Sequence, residues 1–67
     1  MLLTHNKAQE AIWHYVRDAA SIHKTADEIA RELGCDAGDA REALDELVAR
    51  SVLRRFDAPG QAVVYWS

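Results

Sequence analysis

Residues 25–53 read TADEIARELGCDAGDAREALDELVARSVL, and this stretch decides the fold. Thr25-Ala26-Asp27-Glu28 is a capping-box pattern, in which the Thr hydroxyl accepts from a backbone N–H and the Glu reaches back. A helix is therefore expected over about 26–33, with Ile29, Ala30 and Leu33 on one apolar face. Gly34 supplies the left-handed residue that ends it. Only Cys35 separates that glycine from Asp36, a good N-cap for a further helix over about 37–50. Leu44 centres the buried side of this second helix, flanked by Ala37, Ala40, Leu47 and Val48. Its opposite side presents Gly38, Asp39, Glu42, Asp45, Glu46 and Ala49.

Upstream, Ala8, Ile12, Tyr15, Val16 and Ala19 recur at three- and four-residue spacing, which predicts an amphipathic helix over about 4–20 capped by Thr4. Trp13 falls on the boundary between its faces. Ser21 to Lys24 is too short for a helix, and Ile22 anchors a brief extended segment. Downstream of Ser51 the period becomes alternating, which predicts strands over about 52–57 and 62–66. Between them Ala58-Pro59-Gly60-Gln61 has Pro and Gly in the order a β-turn requires.

The chain has 67 residues, 49% of them hydrophobic, with one Pro and three Gly. That suits a single globular domain over 1–67 with a small core and excludes a large substrate cavity. The lone cysteine, Cys35, cannot form an internal disulfide, and no segment has the apolar length of a membrane span or signal peptide. A cytoplasmic setting is expected. Five acids, Asp36, Asp39, Glu42, Asp45 and Glu46, face two bases, Arg41 and Arg50, on the third predicted helix; six acids balance six bases elsewhere, so the net charge of −3 sits on that helix.

Three helices followed by a two-stranded β-hairpin, with a short turn at Gly34, resemble the winged helix-turn-helix domains of MarR-type and ArsR-type bacterial transcriptional regulators. Thr25 to Gly34, then Ala40, Leu44, Leu47 and Val52-Leu53, carry the resemblance, which spans nearly the whole chain. It implies an α+β, mainly α fold and a regulator that binds duplex DNA, commonly as a dimer. In such domains the third helix enters the major groove and the wing reaches the backbone. Carried over by position, Gly38, Asp39, Arg41, Glu42 and Asp45 would face the bases, and Lys24, Thr25, Arg31, Arg54 and Arg55 would meet phosphates.

The chain departs from these relatives in its acids, since Asp39, Glu42, Asp45 and Glu46 would face a polyanion. It also has Ser51 where relatives often carry Gly. Domains that bind left-handed nucleic acid resemble it in size and in an aromatic at Trp66, but they need an Asn and a Tyr where this chain has Arg41 and Asp45. Three other readings of the acidic stripe are simple solubility, with Arg41 and Asp45 as an i,i+4 pair, electrostatic steering against non-cognate DNA, and a docking face for a basic protein. Trp13 and Trp66, if adjacent, would form an apolar patch for self-association or a partner.

Catalysis finds little support. There is no nucleophile elbow or phosphate-binding glycine loop, and the carboxylates have the spacing of a solvated helix face, so no enzymatic activity is expected. His5, His14, His23 and Cys35 lack the close-paired spacing of structural zinc sites, so neither a metal nor another cofactor is expected. Cys35 is the most redox-sensitive atom in the sequence.

Overall fold

The computed structural model describes residues 2–67. Along these residues run α1 (His5–Asp18), β1 (His23–Thr25), α2 (Ala26–Leu33), α3 (Ala37–Ala49), β2 (Arg54–Phe56) and β3 (Val64–Trp66). The result is a small, mainly helical α+β domain. None of the described helices is long and apolar enough to cross a membrane.

The helix boundaries follow local chemistry. Thr4 caps α1 by accepting from the Lys7 N–H, and α1 ends two residues before the expected limit because Ala19 turns to extended backbone, its N–H held by Tyr15. Thr25 and Glu28 close the capping box of α2, while Gly34 at φ 72° ends that helix with its N–H on the Ala30 carbonyl. Asp36 accepts from the Gly38 and Asp39 N–H groups and begins α3. A Cβ on Gly38 would lie 2.9 Å from the Asp36 carboxylate, so the missing side chain gives that cap its room.

The expected two-stranded hairpin is one part of a three-stranded antiparallel sheet, ordered β1-β3-β2. The short segment after Ile22 forms the third strand: His23, Lys24 and Thr25 face Trp66, Tyr65 and Val64. On the other side Arg54, Arg55 and Phe56 face the same three residues. The hairpin strands are shorter than expected, and β2 starts late because the N–H groups of Val52 and Leu53 both turn back to the Leu47 carbonyl. The turn at 58–61 forms as expected, with Gln61 N–H on Ala58 and Gly60 at φ 76°.

α3 packs against both α1 and α2. Ile12, Ile29, Leu44 and Tyr65 are the largest fully buried side chains, joined by Ala8, Val16, Ile22, Ala30, Cys35, Ala40, Leu47 and Leu53. Ala43 is buried too, whereas Ala37 and Val48 lie only half-buried. Two helices closing on α3 rotate its buried side toward Ala43, and the methyl there permits the close approach.

Candidate functional site

The solvent side of α3 and the residues flanking it form the candidate site. Most of its acids contact bases of the chain itself. Asp39 meets the His5 Nδ1 at 3.0 Å, and Glu42 lies 3.9 Å from the His5 Nε2. The Asp39 hydrogen bond, followed by the charge of Glu42, raises the His5 pKa above 6.5. Glu46 pairs with Arg50 one turn on, at 3.1 Å. The same guanidinium lies 5.2 Å over the Trp13 ring.

Asp45 binds the hairpin. Its Oδ1 accepts from the Tyr65 hydroxyl at 2.5 Å and from Arg55 Nη1 at 3.0 Å, while Arg55 Nη2 reaches Asp57 at 3.0 Å. Burial first, and then Asp45, push the Tyr65 pKa up to about 12. Asp57 and then Asp45 raise the Arg55 pKa. Helix and hairpin are thereby fixed in one arrangement.

Several residues expected to meet DNA are engaged within the chain. Asp45 is engaged by the hairpin, so the expected Arg41–Asp45 pair does not form. Arg55 is held between the Asp45 and Asp57 carboxylates. Lys24 closes on Glu32 at 2.5 Å, an interaction that raises its own pKa and lowers that of Glu32. The Thr25 hydroxyl works inside the capping box. Asp39 is half-buried against His5, and Gly38 serves the cap of α3.

Arg31, Arg41 and Arg54 have no carboxylate partner among the described residues. Arg41 lines a notch of about 80 Å³ with Thr25, Ala26 and Asp27 at the start of α2 and with Val63 and Tyr65 of the hairpin side. Arg54 lies 5.1 Å over the Trp66 ring. Trp13 and Trp66 are therefore each covered by a different guanidinium. The depression beside Trp66 is lined by His23, Phe56, Gln61 and Val64 and does not include Trp13.

Sequence spacing missed His5, which lies 34 positions from Asp39. Its imidazole and the Asp39 and Glu42 carboxylates can each bring one ligand atom within 4.8 Å of the others, a geometry open to a cation. Cys35 is buried, and burial raises its thiol pKa. That environment makes it a poor nucleophile at neutral pH.

No protein-family model matches the chain, and neither a curated protein nor a solved structure matches it significantly.

Proposed function

We propose that this chain is a winged-helix domain that binds duplex DNA as a transcriptional regulator, placing α3 against the major groove and the β2–β3 hairpin beside it as the wing. The observation that carries the reading is Arg41, an exposed cation without a carboxylate partner. It projects from the first half of α3 into the notch at the N-terminus of α2. A helix N-terminus favours an anion, so a phosphate beside Arg41 would meet the positive end of α2 and a guanidinium, against the Asp27 carboxylate that lines the same notch. Arg31 on α2 adds a second contact.

The acidic stripe argues less strongly against DNA than its formal charge implies. Asp39, Asp45 and Glu46 are paired within the chain, leaving Glu42 as the α3 acid with only a distant cation. The same pairing weakens docking of a basic protein on α3, which would have to break ion pairs to gain its own. Low-salt titration of a labelled random duplex tests the proposal: wild type binds, Arg41→Gln binds more weakly, and Glu42→Gln binds more tightly. Equal binding by wild type and both variants, or none by any, contradicts it.

A further inference from the structure

The outer face of the sheet, opposite α3, is unpartnered. Cross-strand neighbours share a face, so the register sets His23, Trp66 and Arg54 side by side in one row and places Val64 beside Phe56 in another. The row between them, Lys24, Tyr65 and Arg55, belongs to the other face, where Tyr65 is buried. Phe56 is 58% exposed, although it stands in a strand of a small protein whose Trp and Tyr rings are more deeply covered. Together with His23, Gln61, Val64 and Trp66 it lines a depression of about 510 Å³.

The chemistry of this face differs from the rest of the molecule. The chain carries a net charge of −3, yet among the described residues no carboxylate lines the depression. Asp57, next to Phe56, is turned to Arg55. The depression offers two aromatic rings and one imidazole, and beside it the Arg54 guanidinium, without a carboxylate partner among the described residues, lies over the Trp66 ring. We propose that this face seats an unpaired base of single-stranded nucleic acid, stacked on Phe56 and the Arg54–Trp66 pair, with the adjoining phosphate on Arg54 and His23.

Aromatic side chains joined to a cation fit that ligand, because every base has a π-face and every nucleotide an anion. A base inside a duplex cannot reach a flat sheet; an unpaired one can. Charge also decides against a second copy of the chain. Two such faces stacked on each other would bring both Arg54 side chains together with no carboxylate from the depression to meet them. The site uses the side of the sheet away from α3, so it stands or falls independently of the duplex reading.

Fluorescence anisotropy of a labelled oligothymidylate of about 12 nucleotides at low salt provides the test. Wild type should bind; Phe56→Ala and Arg54→Gln should each weaken binding roughly five-fold to a hundred-fold, as expected for loss of a stacking or phosphate contact. Phe56→Trp should retain it, and Arg17→Gln on α1, outside both proposed surfaces, should leave it unchanged. Circular dichroism checks that each variant folds. Absence of binding, or wild-type binding by both Phe56→Ala and Arg54→Gln, overturns the inference. Sedimentation that shows a dimer dissolved by Phe56→Ala also overturns it, by giving the face to a second copy.

Discussion

Replacing Asp45 by Ala tests the tie between α3 and the hairpin. The Tyr65 hydroxyl belongs to a residue only 1% exposed, and its acceptor would be gone. A buried hydroxyl left without a partner costs about 1–3 kcal/mol. The Asp45 side chain, however, is 38% exposed, so water can partly replace it and the lower end applies. The Arg55 ion pair adds little in this solvated setting, because Arg55 keeps Asp57. The expected loss is about 1 kcal/mol, which for a domain this small lowers Tm by roughly 4–8 °C. Tyr65→Phe removes the same hydrogen bond from the other side and should cost a similar amount.

The double variant Asp45→Ala/Tyr65→Phe should then be less destabilised than the two single losses combined, by about 1 kcal/mol. Urea unfolding followed by tryptophan fluorescence measures all four proteins. Strict additivity, or an Asp45→Ala protein as stable as wild type, refutes the tie. Alkaline unfolding gives a second view of it. The folded pKa of Tyr65 is pushed up to about 12 from 10, so its contribution to stability is whole below pH 10 and declines as pH rises toward 12. Burial is the larger cause, so Asp45→Ala should narrow that window without closing it.

Three other outcomes follow from single residues. Ser51 sits at φ 64°, where an L side chain is strained, so Ser51→Gly should stabilise the fold by about 0.5 kcal/mol in the same urea assay. Proton NMR should place the His5 pKa above 6.5; Asp39→Asn should return it toward that value, more than Glu42→Gln does. Because the folded pKa is the higher one, the stability His5 contributes is present below pH 6.5 and lost as pH rises through its raised pKa. A thiol-directed reagent should modify Cys35 slowly in the native protein and rapidly in urea, since the thiol is buried and its pKa raised.

Local signals in the sequence reached the helices. The Thr25–Glu28 capping box, Gly34 and the Asp36 cap each act within four residues, so their geometry is written in adjacent letters. The first strand was legible only as an extended segment. His23–Thr25 is three residues long, and what makes it a strand is β3, whose partners lie some forty positions away. Hairpin length was overread because alternation at Val52-Leu53 is also what the end of α3 needs to bury Leu53.

The site was legible as positions but not as partners. His5 and Asp39 are 34 residues apart, Tyr65 and Asp45 are 20 apart, and Arg55 and Asp45 are 10 apart. Only the assembled fold brings them together. The expected Arg41–Asp45 pair was a sound helix-surface inference that lost to these tertiary partners. That loss leaves Arg41 open, and the proposed function turns on it.

The salt dependence of duplex binding tests the central claim most directly. If phosphates are held by the chain's cations, log K should fall linearly with log salt, with a slope near −0.9 for each phosphate neutralised. The account predicts a clear negative slope for wild type and one shallower by about 1 for Arg41→Gln. A flat salt response, or a slope that Arg41→Gln leaves unchanged, would contradict it.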